Sequence, residues 1–302
     1  MVDISALRAT SAADAPVELV DAIDVACTEI GFFVVTGHAI EPAVDEVFRA
    51  AHGLFALPEP VKESLAMVER QGFVPARQRV LDHALHSAPM EYYDVGLGGP
   101  QRWPSPDHLA GFEETVRRYQ TEVLGVAADL LRVLALALHL EPTFFAERMV
   151  EPQCFLRMMH YEPREPGVAG ESIVLTDPHT DYGLITLLAT DGVGGLEVRS
   201  RDGDWTMVKA PAGSLVVNLG DMLARWTNDH YVSTPHRVSA PAASDRFSVP
   251  FFVNPDPAAT VSCLPSCVTD LRPCRYPPVT AGDFLAKRIE DGGYMSDAAS
   301  EA

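Results

Sequence analysis

Apolar positions recur at helical spacing in the first half of the chain and at strand spacing in the second. Leu19, Val20, Ile23, Ala26, Cys27 and Ile30 fall on one stripe of a helix expected over 13–30. Gly31 ends it, and Phe32-Phe33-Val34-Val35-Thr36 reads as a buried strand. A second amphipathic segment, 42–57, stops near Pro58 and Pro60. Residues 71–101 read as irregular, with an aromatic and acidic patch at Glu91-Tyr92-Tyr93-Asp94. The longest periodic run places Phe112, Val116, Tyr119, Val123, Val126, Leu130, Leu134 and Ala137 at three- and four-residue steps. It predicts a scaffold helix ended by Pro142.

From about 154 to 254 the pattern changes to short apolar runs at 185–188, 196–198, 215–218 and 247–253. Asp191-Gly192, Gly194-Gly195, Asp202-Gly203-Asp204 and Ala212-Gly213 break them. Many short strands at this spacing predict an antiparallel sandwich or barrel such as a jelly roll. The expected class is mainly β with flanking helices. No repeat or linker divides the chain, so one domain is expected. An N-terminal helix and strand region covers 1–105, the scaffold helix 106–150, the jelly-roll core 151–280, and a C-terminal helix and polar tail 281–302.

Composition narrows the function classes. The 42 acidic residues outnumber the 23 basic ones, a net charge of −19 that repels phosphate backbones, and no Lys/Arg-rich run offsets it. Nucleic acid is not an expected partner. Residues 123–140 are the most apolar stretch, but Asp129, Arg132 and His139 interrupt it, so no membrane span is expected. The first residues carry no basic stretch leading into an apolar run. A soluble cytoplasmic protein is the expectation. Cys263, Cys267 and Cys274 cluster loosely without the C-x2-C spacing of a zinc knuckle, and the five cysteines are expected to be reduced and mostly buried.

The candidate chemistry lies in an ordered series. In extended backbone, residues i and i+2 share a face, so His179-Thr180-Asp181 directs an imidazole and a carboxylate at one point. His236 follows in a loop entering a strand. Two histidines and one carboxylate suit a non-haem Fe(II) site with open coordination positions. In Arg246-Phe247-Ser248 a guanidinium and a hydroxyl share a strand face, an arrangement that grips a carboxylate. Taken singly, each of these is more often structural.

Together the residues resemble the isopenicillin N synthase-like 2-oxoglutarate/Fe(II)-dependent oxygenases. The resemblance covers nearly the whole chain. It runs through Gly31 to His38, Leu57-Pro58 with Lys62, and His179-Thr180-Asp181-Tyr182-Gly183. It continues through Gly194-Gly195-Leu196, Asn218-Leu219-Gly220-Asp221, Ser233 to Val238, and Arg275 to Gly282. It implies a double-stranded β-helix with helices outside. It also implies Fe(II) held by His179, Asp181 and His236, and 2-oxoglutarate held by Arg246, Ser248 and Tyr161, with O2 as the further co-substrate. Many members carry asparagine where this chain has Met159. The implied reaction is hydroxylation or desaturation of a C–H bond of a small metabolite, in the manner of secondary metabolism, with release of succinate and CO2. Halogenation is disfavoured, because Asp181 fills the position a halide needs. His160, Arg157, Tyr92 and Phe73 are the expected substrate contacts, with Tyr93, His83 and His86 as further candidates. Two alternatives stay open: an oxidase that places its own substrate's carboxylate on the arginine, and a catalytically silent binding protein.

Overall fold

The computed structural model describes residues 1–9, 15–76, 90–163, 172–241 and 245–291. The strands are β1 (Val2–Asp3), β2 (Phe32–Thr36), β3 (Gly72–Val74), β4 (Met90–Gly96), β5 (Phe155–Tyr161), β6 (Ser172–His179) and β7 (Ile185–Thr190). They continue with β8 (Leu196–Arg199), β9 (Trp205–Met207), β10 (Leu215–Leu219), β11 (His236–Pro241), β12 (Arg246–Val253), β13 (Thr260–Val261) and β14 (Val279–Thr280). The helices are α1 (Ser5–Ala9), α2 (Val17–Glu29), α3 (Glu41–Phe55), α4 (Glu59–Ser64), α5 (Phe112–Ala137), α6 (Asp221–Trp226) and α7 (Ala281–Asp291).

An eight-stranded sheet in the order β1-β2-β10-β7-β12-β5-β4-β3 is antiparallel except for β1 on β2. A four-stranded sheet, β6-β11-β8-β9, lies over one of its faces. Phe32, Val34 and Val216 of the larger sheet pack with Leu196 of the smaller, and Met90, Tyr92 and Tyr161 pack with Leu175, Val238 and Ala240. The other face of the larger sheet carries Val35, Val217, Leu187, Val249, Met158 and Tyr93, which form one core with the buried stripes of α2, α3 and α5. Each strand thus sorts its side chains between a helix side and a site side by simple alternation.

Helices α2 and α5 end on left-handed residues. At the end of α2 the Gly31 N–H reaches Ala26 O, with Gly31 at φ +69°, and a Cβ there would lie 2.1 Å from the Val232 carbonyl oxygen. At the end of α5 the Leu140 N–H reaches Ala135 O across His139 at φ +57°. The scaffold helix therefore stops before Pro142, which does not terminate it. The segment expected to be irregular contains β3 and β4. Glu91 and Asp94 break the apolar alternation of β4, yet both are buried in ion pairs, with Lys62 and Arg157. Strands from 1–105 complete the sheet that the later strands begin.

Candidate active site

His236 pairs directly across from His179 in the β11–β6 ladder, so the two imidazoles leave neighbouring strands at the same level. Their ring centroids are 4.2 Å apart. Asp181 follows two residues after His179, in the turn before β7. That turn is seated by backbone contact: Asp221 N–H donates to Asp181 O, and a Cβ on Gly220 would lie 2.3 Å from Gly183 O. Arg288 of α7 pairs with Asp221, which also accepts from Thr180 Oγ1. The C-terminal helix thus braces the turn.

Each imidazole is oriented by its far nitrogen. His179 Nδ1 meets Asp177 O at 2.8 Å, and His236 Nδ1 meets Thr234 O at 3.2 Å. With Nδ1–H donating to a carbonyl, the Nε2 lone pair of each ring points inward. Both Nε2 atoms face Asp181 Oδ1, at 3.9 Å from His179 and 3.8 Å from His236. Oδ2 is occupied separately, accepting from Thr186 Oγ1 at 2.5 Å and Asn218 Nδ2 at 2.6 Å. Three ligand atoms therefore converge within 4.8 Å of one another. Both nitrogen-to-carboxylate separations are below the roughly 4.2 Å that two metal–ligand bonds of about 2.1 Å can span. The donor set fits Fe(II).

The charge states agree with that fit. Burial raises the Asp181 carboxyl, but the imidazoles and the two hydrogen bonds outweigh it and hold the group below the ordinary carboxylate value. Burial lowers His236, favouring the neutral imidazole a metal needs. The bonds from Thr186 and Asn218 add to the imidazoles in favouring the ionised Asp181. His179 is the open side of the triad, its side chain 42% exposed against 9% for the other two.

Arg246 and Ser248 lie on the site face of β12, and Tyr161 lies opposite Arg246 on β5. The Arg246 side chain is buried, at 1% exposure for the residue. Its Nε donates to Gly194 O at 2.9 Å and its Nη1 reaches Ser248 Oγ at 3.3 Å, and the guanidinium lies 5.0 Å from the Tyr161 ring centroid. It forms no ion pair among the described residues, so its charge is buried without a counter-ion there. A cavity of about 40 Å³ opens beside it, between Thr190, Leu196 and Val216. The Tyr161 hydroxyl spans the two sheets to Thr176 Oγ1 at 2.9 Å.

The register sorts the four expected substrate contacts into two pairs. Arg157 and Tyr92 share the site face: the guanidinium lies 4.1 Å from the Tyr92 ring centroid and grips Asp94 through two bonds of 2.7 Å. Phe73 and His160 are turned away, which corrects the expectation for them. Phe73 pairs with Tyr93 and lies in the helix-side core, beneath the Lys62 ammonium. His160 pairs with Phe247 and stacks on it at 4.4 Å. It links Glu91 Oε1 at 2.7 Å to Asp245 Oδ1 at 2.8 Å. Glu91, His160 and Glu162 could hold a second ion, but the Lys62 ammonium, 2.7 Å from Glu91, already supplies a cation there. His83 and His86 lie outside the described residues. Nothing in the sequence pointed to Thr186, Thr176 or the Gly194 carbonyl, because each acts through a partner that only the fold brings near.

Residues 152–255 match the 2OG-Fe(II) oxygenase superfamily, and residues 1–106 match the N-terminal family described as non-haem dioxygenase in morphine synthesis. A 2-oxoglutarate-Fe(II) type oxidoreductase of Emericella nidulans is 34% identical over 310 residues, 94% of this chain and 87% of that protein. A putative 2OG-Fe(II) oxygenase family protein from Caulobacter crescentus shares the fold at a TM-score of 0.85 and 30% identity, covering 96% of this chain and 97% of the other. A full-length Neurospora crassa protein, solved in complex with alpha-KG and thymine, gives a TM-score of 0.83 at 26% identity over 96% of both chains. No described helix is long and apolar enough to cross a membrane. The chain belongs to the 2OG-Fe(II) oxygenase superfamily, as a dioxygenase that uses Fe(II), 2-oxoglutarate and O2.

Proposed function

We propose that this dioxygenase hydroxylates or desaturates an unactivated C–H bond of a small metabolite, with His179, Asp181 and His236 as its iron ligands. The carrying observation is the division of labour at Asp181: Oδ1 faces both Nε2 atoms while Oδ2 is held by Thr186 and Asn218. Arg246 and Ser248, with Tyr161 alongside, would receive the distal carboxylate of 2-oxoglutarate, and the buried guanidinium, without a counter-ion among the described residues, supports that role. Bound Fe(II) supplies the oxidising chemistry, consuming 2-oxoglutarate and O2 and releasing succinate and CO2. The protein's own part is positional. The two sheets fix the ligands, and Arg157 with Tyr92 borders the space for the substrate. Thymine, the ligand of the Neurospora crassa structure, shows the size of molecule a related site admits.

The test is turnover by anaerobically Fe(II)-loaded protein given 2-oxoglutarate and O2, with succinate measured with and without a metabolite mixture. Succinate above a metal-free control, stimulated by one fraction of the mixture, is expected. Asp181→Ala is expected to remain folded and form none. Wild-type succinate formation by that variant would overturn the ligand assignment.

A further inference from the structure

Three of the five cysteines lie in the segment after β12, and two of them converge. Cys263 Sγ is 3.6 Å and Cys274 Sγ 3.3 Å from one shared acceptor, the Tyr276 carbonyl oxygen. Both sulfurs are thus held against one carbonyl oxygen. Cys267 is buried, with its sulfur beside Ser266 Oγ at 3.9 Å. The cysteines form no three-ligand metal group among the described residues, which leaves thiol chemistry as the use of the pair.

The two thiols suit different halves of one reaction. Slight burial raises the Cys263 thiol, but the neighbouring Cys274 and the backbone groups of Tyr276 and Arg275 bring it below the ordinary thiol value. Burial pushes Cys27 and Cys267 up, and Cys154 to about 12. Cys263 is therefore more readily present as thiolate than the buried Cys27, Cys154 and Cys267, and Cys274 beside it is exposed. Asn228 fixes the approach. Its Oδ1 accepts from Arg275 N–H at 3.0 Å and lies 3.6 Å from Cys263 Sγ, and its Nδ2 donates to Pro273 O at 3.1 Å. Both ends of the loop joining the cysteines are tied to one side chain, so closing the pair requires little further ordering.

We propose that Cys263 and Cys274 are a modification site, a thiol pair that hydrogen peroxide converts to a reversible disulfide. The Cys263 thiolate attacks one peroxide oxygen. An S–O bond forms, the O–O bond breaks, and the departing hydroxide takes up a proton to become water. The Cys274 sulfur then attacks the Cys263 sulfur, forming S–S and breaking S–O, and the second water carries away the Cys274 proton. Two thiols are oxidised by two electrons and one peroxide is reduced to two waters.

The test treats the full-length chain, with metal chelated, with hydrogen peroxide, then alkylates the remaining thiols and maps the peptides without reduction. A Cys263–Cys274 cross-link lighter by two hydrogens, and reopened by dithiothreitol, is expected. In Cys274→Ser the cross-link disappears, and dimedone traps the sulfenic acid on Cys263. Three results overturn the proposal: full alkylation of both cysteines after peroxide, preferential linkage of either to Cys267, or no dimedone adduct on Cys263 in the variant.

Discussion

Arg246→Met separates what the buried guanidinium does for 2-oxoglutarate from what it does for the fold. A charge-assisted hydrogen bond contributes about 1.5–3 kcal/mol, so losing the fork's grip on a carboxylate costs about 3 kcal/mol, or roughly 100-fold in Kd. At a 2-oxoglutarate concentration about 100 times the wild-type Kd, binding stabilises the native state by about 2.7 kcal/mol. Unfolding entropy of about 2.1 cal/mol/K per residue gives about 0.6 kcal/mol/K for this chain, and hence a rise in Tm of roughly 4 °C. The variant at the same concentration gains only about 0.4 kcal/mol, a rise below about 1 °C. Without ligand the sign differs. The bonds to Gly194 O and Ser248 Oγ are lost at about 1 kcal/mol each, while removing a buried charge that lacks a counter-ion relieves a desolvation cost of several kcal/mol. The ligand-free variant is thus expected to melt at or above the wild-type temperature. Differential scanning fluorimetry of Fe(II)-loaded protein under anaerobic conditions reads both quantities, and a metal titration supplies the control. An undiminished 2-oxoglutarate shift, or an equal loss of Fe(II) affinity, would refute the reasoning.

Asn218→Ala removes one of two donors to Asp181 Oδ2 and is expected to weaken metal binding about 10- to 100-fold; unchanged Co(II) affinity by absorption titration would contradict that support. Tyr119→Phe is expected to leave stability unchanged or raise it by up to about 1 kcal/mol, because the Tyr119 hydroxyl is buried with no partner among the described residues. A urea midpoint showing a loss above about 1 kcal/mol would count against it. Burial opposes the His160 imidazolium, but Glu91 and Asp245 outweigh it and raise His160 above its ordinary 6.5. The folded state then holds the proton more tightly, so this stabilisation is full below pH 6.5 and is lost as pH rises through the higher folded value. Relative to His160→Phe, the wild type should lose stability as pH rises above 6.5, and parallel urea profiles for the two would be the contrary result.

His179 and Asp181 were legible as ligand candidates because their geometry is local, the i and i+2 side chains of extended backbone sharing a face. His236 reaches them only through the β11–β6 pairing. The facing of β4 and β5 was not legible. Phe73 and His160 have the composition of pocket residues beside Tyr92 and Arg157, yet one step of register puts them on the helix side. β4 itself is hidden in the sequence because Glu91 and Asp94 resemble surface residues until Lys62 and Arg157, distant in the chain, supply their countercharges. The end of α5 is obscured for a related reason. Pro142 is the evident breaker, but His139 takes up a left-handed conformation that no composition signals. The sheet order was invisible as well, since β4 and β12 flank β5 through pairings that no short-range pattern encodes.

His179 and His236 stand on the smaller sheet, whereas the support for Asp181, through Thr186 and Asn218, comes from the larger. Under the proposed assignment the smaller sheet and the turn after it carry the donors, and the larger sheet aims the carboxylate among them. A chain with one sheet undocked would lack the bonds from Thr186 and Asn218 and would hold the ion more weakly. Metal binding at this triad would in turn favour the state in which the two sheets have met.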